Sequence, residues 1–484
     1  MNTAQTVRYK ILCHISQLGF GGAQRVCQIL ANEFSKIGHE VTMVTTSPKG
    51  IEDAYTFEPN IKRVRFGSYE EYGKLISGGN FDIILDHAYW GGPPIKEMTV
   101  IAKEVGAKYI ILMHSGYFRF LSHLFTDRRV IIKELEKFSI IPDLYKECAA
   151  VVCLTRQSAK TFQIHLPQVT TIPNPLIDTF EESSSHSAKK IVSVGRFDAS
   201  VKRVDNLLRI YSLVKRSHPD ARLILVGPYK HDWRNPSDGL SVSELQKELG
   251  LGDEDVDWVG PTSNVSQYYE CASVYLHASD IEGFPMTLLE AASAGLPRVV
   301  FEFQGVDDLI AEDVNGYVLE NGDVEAAAQK VSYLLDHPEK CSEMGRQARK
   351  LTQKFSLEQV GELWEELFDL LMSGKSQSEI NIQLAAKNDT QFLNEDSLIK
   401  AYDRNLRKTI ESFVHFNHYI NKKEKSGLSK ILRMESDRWY RIGQLSRKRK
   451  IWALARFATQ KVRIYPVLSR VLRRVKQIRS SQNS

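Results

Sequence analysis

Glu282-Gly-Phe-Pro-Met-Thr-Leu-Leu-Glu290 decides how this chain is read. Two carboxylates stand eight positions apart, with a Gly-Phe-Pro turn directly after the first. Leu288, Leu289, Ala291, Ala292 and Ala294 continue a helical pattern that stops at Gly295-Leu-Pro297. Pro285 suits the first turn of a helix, where a missing N–H goes unused. The spacing therefore predicts Glu282 in the loop before the helix and Glu290 one to two turns inside it, at about 100° per residue. Both carboxylates and the free N–H groups of the helix start then face one polar, phosphate-bearing ligand.

Outward from this stretch, strands and helices alternate. YKILCHIS (9–16) reads as a short buried strand. The turn Gly19-Phe-Gly-Gly22 follows, then a helix with Val26, Ile29, Leu30, Phe34 and Ile37 on one face and Gly38 as its stop. EVTMVTT, FDIILDHAY, KYIILMH, AAVVCLT and VTTIPNP are the next strands. Helices lie around Ile95 to Val105, Arg119 to Phe138 and Ile140 to Ala149. After the polar FEESSSHSA (180–188), a linker, KKIVSVGR, ARLILVGP, DVDWVG, SVYLHAS and RVVFEF read as five more strands. Helices between and after them include Val204 to His218, Val265 to Cys271, the stretch Val324 to Phe355, and an amphipathic Leu357 to Met372. Such alternation implies an α/β protein with parallel, doubly wound sheets. The boundaries read as 1–180, 187–355, 356–374 and a helical extension 375–484.

Length and composition agree. At 484 residues the chain exceeds one domain, and 42% hydrophobic with 25% charged residues is the balance of a globular protein, not a disordered one. No apolar run approaches the ~18–20 residues of a membrane span. The polar start, Met1 to Lys10, gives no sign of a secretory signal peptide. Cys13, Cys27, Cys148, Cys153, Cys271 and Cys341 form no C-x-x-C pair and read as buried thiols of a reducing compartment. The net charge of +5 hides an asymmetry: from Lys375 onward 25 Lys and Arg face 9 Asp and Glu, leaving 39 against 50 before it.

The stretch from Ser279 to Gly316 resembles the donor-site signature of retaining glycosyltransferases of family 4: a Glu, seven residues, a second Glu, a small-residue helix, then Gly-[LT]-Pro. These enzymes have the GT-B fold, two Rossmann-like domains facing each other across a cleft, and the resemblance implies that Leu357 to Met372 crosses back onto the first domain. It also assigns expectations residue by residue. Glu282 would orient the donor sugar and stabilise the positive ring in the transition state, and Glu290 would bind the ribose. Arg196 and Lys202 match the family's Gly-Arg, spacer, Lys pattern; a planar guanidinium and a mobile ammonium at the end of a Rossmann strand suit a leaving diphosphate. Arg203 stands where the family usually has Gly. Gly21 and Gly22, in Gly-Gly-Ala-Gln-Arg25, would approach the donor phosphates, unless they form a plain tight turn. His114 would contact the donor sugar or serve as a structural hydrogen bonder; His14, His87 and His165 are weaker candidates. Trp258, Gly260 and Pro261 would hold the base, with a core role open for Trp258. Gly283, Phe284 and Pro285 complete the donor loop, Asn174 is a hinge-side or structural residue, and amides within Glu302 to Gly316 would line the diphosphate. Arg298 replaces a usual small apolar residue. Asp253-Glu-Asp255 reads as a solvated turn, not a metal site; no metal or other cofactor is expected.

The implied reaction moves a sugar from a nucleotide sugar, UDP-linked by expectation, to a hydroxyl of a glycan or lipid-linked acceptor in bacterial surface-glycan synthesis. Domain closure would exclude water. A catalytically silent GT-B partner of another transferase is the alternative. In the tail, Leu468, Val471, Leu472, Val475 and Ile478 share one helical face while Arg470, Arg473 and Arg474 share another. With Trp452 and Phe457 upstream, residues 438–484 suit an anionic membrane surface, each nearby cation adding about 1 kcal/mol. Packing on the acidic body or a protein partner are the other readings, and no nucleic-acid motif accompanies the charge. The expected location is cytoplasmic, peripheral on the inner membrane face. Tyr117 to Phe125 could hold a lipid-linked acceptor or belong to the core.

Overall fold

A computed structural model of the protein describes residues 7–19, 21–46, 53–87, 95–115, 143–163, 166–177, 180, 186, 188–197, 200–232, 234 and 239–387. The readings on Arg119 to Phe138, Tyr117 to Phe125, His165 and the basic segment 438–484 lie outside them.

The first sheet is built from β1 (Lys10–Ile15), β2 (Glu40–Thr45), β3 (Lys62–Arg65), β4 (Ile83–Asp86), β5 (Lys108–Met113), β6 (Ala150–Cys153) and β7 (Val169–Thr171). Helices α1 (Gly22–Ile37), α2 (Tyr69–Gly78), α3 (Ile95–Glu104) and α4 (Arg156–Gln163) connect them. Its order is β3-β2-β1-β4-β5-β6-β7, with parallel pairing from β3 to β6. The second sheet holds β8 (Lys190–Val194), β9 (Arg222–Val226), β10 (Val256–Gly260), β11 (Val274–His277), β12 (Arg298–Phe301) and β13 (Gly316–Leu319). Among these strands run α5 (Val204–Ser217), α6 (Val242–Glu248), α7 (Ser266–Glu270) and α8 (Met286–Ser293). Its order, β10-β9-β8-β11-β12-β13, is parallel throughout. The central strands are buried on both faces, which is why they read as continuous apolar runs. Both sheets reverse their order once, between β1 and β4 and between β8 and β11, and ligands of such sheets bind at the carboxyl ends of the strands there.

The remaining helices are α9 (Val324–Asp336), α10 (Pro338–Thr352), α11 (Leu357–Met372) and α12 (Gln377–Lys387). Helix α11 returns to the first sheet's α1. Phe34 meets Trp364 and Phe368 edge-on at 6.2 and 5.2 Å, the Tyr9 hydroxyl donates to Asp369 at 2.6 Å, and His39 Nε2 lies 2.7 Å from Glu365. By compactness the chain divides into Met1–Gly116, Ala149–Ser158 and Thr170–Thr390 on one side, and Tyr117–Cys148, Ala159–Val169 and Gln391–Ser484 on the other. The first unit thus holds both sheets except Val169 of β7. In the second unit, Gln163 Nε2 donates to the Val169 carbonyl and Gln168 Nε2 to that of Tyr145.

Several elements differ from the sequence reading. β3 (KRVR) is a polar edge strand without an apolar run, and β13 (GYVL) is a four-residue strand that starts at Gly316, where the stretch read as ligand-lining ends. The helical region 324–355 breaks at His337-Pro338, where proline starts a new helix. None of the six cysteines is in a disulfide, and all but the half-buried Cys271 are buried. Among the described residues no helix is long and apolar enough to cross a membrane.

Candidate active site

Glu282 lies in the loop after β11, and Glu290 lies in the second turn of α8, as the spacing predicts. Pro285 sits one position earlier than expected, at the N-cap, with extended backbone. Lys202 closes a 3₁₀ turn, Ser200–Lys202, and its stem crosses Gly195 at the end of β8; a Cβ on Gly195 would touch it at 3.4 Å. From there Lys202 Nζ reaches Glu282 Oε1 at 2.6 Å. His277, the last residue of β11, brings Nε2 to the same oxygen at 3.1 Å. A carboxylate only accepts, so His277 donates from Nε2 and is the Nε2–H tautomer. Both bonds fall on Oε1, and Oε2 takes no hydrogen bond among the described residues.

Burial alone would raise the Glu282 carboxyl, but the Lys202 ammonium and the His277 bond outweigh it and hold it well below the usual carboxylate range. His277 is shifted down, burial outweighing the Glu282 charge, and is neutral near pH 7. The result is a fixed anion, held by one cation and one neutral donor, with one oxygen unengaged.

The neighbouring loop meets the first sheet. A Cβ built on Gly283 would lie 2.1 Å from the His114 carbonyl oxygen and 3.2 Å from Ser115 Cα, so only glycine fits this approach. Phe284 is buried edge-on against Phe355, 5.6 Å between centroids; its side chain is core, and only its backbone remains to serve a donor. Further along, Glu290 accepts from Arg25 Nη1 at 3.3 Å and from the Tyr269 hydroxyl at 2.9 Å. Arg25 follows Gly21-Gly22 in the first turn of α1. Gly21 is extended, with its N–H and carbonyl both engaged by the Tyr55 hydroxyl at 3.0 Å, and a Cβ on Gly22 would meet nothing within 4 Å. That open face leaves room for a ligand against the start of α1.

Other expected residues are placed less directly. Arg196 is exposed after β8 and is not among the groups that hold Glu282. Trp258 lies within β10; its Nε1 donates to Gln246 at 3.2 Å and its ring packs against Tyr229 and His231. Gly260 has φ +75 and accepts from the Gly227 N–H at 3.0 Å, while Pro261 is exposed beyond it. Asn174 is buried, with Oδ1 unpartnered among the described residues. Within Glu302 to Gly316, the Gly305 N–H is taken by Gln157 Oε1, and Asp308 is held by Arg156 through its backbone N–H at 2.7 Å and its Nε. That loop is docked on the start of α4, not left open over its whole length. The D-x-D reading needs correction at one residue: Asp253 is exposed, but Asp255 is buried, accepts from Gly252 N–H at 2.8 Å and pairs with Lys215. Arg298 is buried at the start of β12.

At the carboxyl ends of β1, β4 and β5 lies a second polar cluster. His14 Nδ1 meets Asp86 at 2.9 Å and its Nε2 meets Thr46 at 3.2 Å, while the Tyr109 hydroxyl donates to the other Asp86 oxygen. His87 Nδ1 lies 2.9 Å from His114 Nε2. Burial pushes His114 down to about 4 and His87 well below its ordinary value.

Sequence reasoning missed His277, Tyr269, Tyr55 and the role of Arg203. His277 carried the same signal as His114, a histidine ending a parallel strand. Arg203 adopts the left-handed backbone, φ 45, that explains the family's usual glycine. It grips Asp205 in two bonds of 3.0 and 2.8 Å and Asp280 at 3.1 Å, tying the Lys202 turn to the Glu282 loop. Arg203→Gly should therefore relieve about 1 kcal/mol of backbone strain yet lower kcat/KM about 3–10-fold, near 1 kcal/mol. Thermal melts beside steady-state rates check this; unchanged rates would reduce the clamp to a stability device.

Known proteins are similar to this chain in sequence and in fold. The model of glycosyl transferases group 1 matches residues 177–351, and that of glycosyltransferase family 4 matches residues 20–179. An uncharacterized glycosyltransferase of Haemophilus influenzae is 25% identical over 363 residues, covering 71% of this chain and 95% of that protein. A Campylobacter jejuni α-1,4-N-acetyl-D-galactosaminyltransferase, named for an undecaprenol-diphosphate-linked GalNAc acceptor, is 25% identical over 383 residues, 74% of this chain and 98% of its own. In fold, the chain is similar to a mutant of S. aureus TarM solved in complex with fondaparinux, α-GlcNAc-glycerol and UDP. The TM-score is 0.59 at 15% identity, covering 75% of this chain and all of that one. The two-sheet architecture is the GT-B fold.

Proposed function

We propose that this chain, which belongs to the family 4 glycosyltransferases of GT-B fold, is a retaining enzyme that moves a hexosyl or N-acetylhexosaminyl group from a UDP-sugar to a hydroxyl of a glycan or lipid-linked acceptor. The observation that carries the reading is the Lys202–Glu282–His277 cluster beside the Gly283–His114 approach. Glu282 supplies a fixed negative charge to a sugar ring that becomes positive, and its Oε2 accepts from sugar hydroxyls. Lys202, with Arg196 nearby, meets the charge that builds on the departing diphosphate. Glu290 accepts from the ribose hydroxyls once Arg25 yields, and the diphosphate takes the acceptor proton.

Surface-glycan synthesis, a lipid-linked acceptor and an inner-membrane location for the 438–484 segment belong to the same reading. The name of the C. jejuni relative, which gives an undecaprenol-diphosphate-linked acceptor, supports the lipid-linked acceptor. The test is nucleoside-diphosphate release from UDP-, GDP- and ADP-sugars, with and without membrane extract, for the wild type and Glu282→Gln. Release from one donor, lost in the variant and raised by extract, supports the reading. No turnover by folded protein would favour a silent partner subunit. Cations of the chain replace a metal in this scheme, so EDTA is expected to leave turnover within about twofold; a larger loss, restored by a divalent ion, would refute that part.

A further inference from the structure

We propose that His87 is a positioning residue that sets the tautomer of His114, so that His114 offers an N–H donor, from Nδ1, to the sugar of the donor substrate. The inference rests on the proposed function for the identity of that ligand, but its structural half stands on the two rings alone.

The rings of His87 and His114 have centroids 5.1 Å apart, planes 18° apart and a 2.9 Å Nδ1–Nε2 contact. Near-parallel planes at that centroid distance with so short an edge contact describe rings joined edge to edge by a hydrogen bond. Burial keeps both imidazoles neutral near pH 7. One proton therefore lies between them, and only two arrangements exist. If His114 Nε2–H donated, His87 would carry its own proton on Nε2. That nitrogen is buried in a residue 1% exposed and has no partner among the described residues. A buried N–H without an acceptor is among the rarest and costliest defects of a folded chain, costlier than a bare acceptor. The other arrangement avoids it: His87 Nδ1–H donates, and its Nε2 is bare.

The consequence falls on His114. With Nε2 accepting, its proton is on Nδ1. That nitrogen makes no bond among the described residues, and His114 as a residue is half-buried, not fully enclosed like His87. His114 is also the residue whose carbonyl meets Gly283, next to Glu282. The residue that carries this donor thus meets, through its backbone, the loop of an acceptor-only carboxylate on the second sheet, a pair suited to a sugar's hydroxyls. The backbone N–H of His87 donates to the His14 carbonyl at 2.8 Å, which fixes the ring's strand against β1.

Histidine-labelled ¹⁵N spectra of the full chain near neutral pH test the first half. His114 is expected with Nδ1 protonated and Nε2 bare, and His87→Phe is expected to return it to the Nε2–H form that isolated imidazoles favour. His87→Asn, whose amide can donate from the place of Nδ1, should keep the wild-type pattern. In turnover, His87→Phe should lower kcat/KM for the nucleotide sugar about tenfold with binding of the free nucleoside diphosphate unchanged, and His87→Asn should recover most of it. A wild-type spectrum with His114 protonated at Nε2 would overturn the proposal. So would a His87→Phe protein that turns over at the wild-type rate. If His87→Phe fails to fold, the wild-type spectrum and His87→Asn still decide. If no nucleotide sugar is turned over, the spectra still judge the tautomer while the functional reading alone fails.

Discussion

Glu282→Gln is expected to lower kcat at least a hundredfold, with the protein folded and nucleotide binding little changed. The substitution keeps shape and removes charge. In the wild type the charge is secured, because the 2.6 Å contact to Lys202 and the bond from His277 overcome a burial that would otherwise protonate the carboxyl. Loss of one preorganised electrostatic group of this kind costs about 10²–10³ in kcat. Lys202→Met tests the same pair from the other side. With the ammonium gone, burial acts on Glu282 against His277 alone and its carboxyl rises toward neutrality. The residual rate of that variant should then climb with pH across the new ionisation, a slope the wild type lacks. Stability follows the same linkage. The wild-type carboxyl is depressed on folding, so its contribution is complete above the ordinary glutamate value and is lost as pH falls below it. Glu282→Gln should flatten that acid limb in thermal melts. A wild-type-like kcat in Glu282→Gln would remove the carboxylate from the chemistry.

Arg298→Met is expected to stabilise the protein by about 1–4 kcal/mol, the scale found when buried ion pairs give way to well-packed apolar side chains of similar volume. Arg298 is 0% exposed, and its Nη2 donates to the Asn315 carbonyl at 3.1 Å. Among the described residues Nε and Nη1 have no partner and Arg298 makes no ion pair. Burial pulls the guanidinium down to about 9, so at neutral pH it is charged and desolvated. Methionine keeps the stem and discards the charge at the loss of one hydrogen bond worth about 1 kcal/mol. Calorimetry or denaturant melts check the gain. A marked destabilisation would mean that an interior anion or water chain satisfies the guanidinium.

Much of the architecture was legible because parallel strands buried on both faces spell themselves as apolar runs, as in IVSV (191–194) and YIILM (109–113). The carboxylates of 282 and 290 were placed by helix geometry alone. What escaped was contact that sequence spacing does not encode. Phe284 looks like a ligand-facing residue of the donor loop, but Phe355, far along the chain, buries it. Arg25 is one cation among many until α1 and α8 come together. Arg203 and Arg298 stood out only as departures from a family pattern; one is braced by two aspartates, the other meets no counter-charge among the described residues, and nothing local distinguishes them. β3 and β13 are short or polar strands whose existence depends on the neighbour that pairs them.

The Gly283 contact has a further meaning for variation in such proteins. The distance from a histidine on one sheet to a carboxylate on the other is set where two backbones touch with no side chain between them. Position 283 therefore works as a shim of zero thickness. A single methyl there would demand about an ångström of displacement to restore ordinary van der Waals separation, and every atom beyond the contact would inherit it. Substrate preference can drift through residues around this point, but the spacing itself is protected by the smallest residue available.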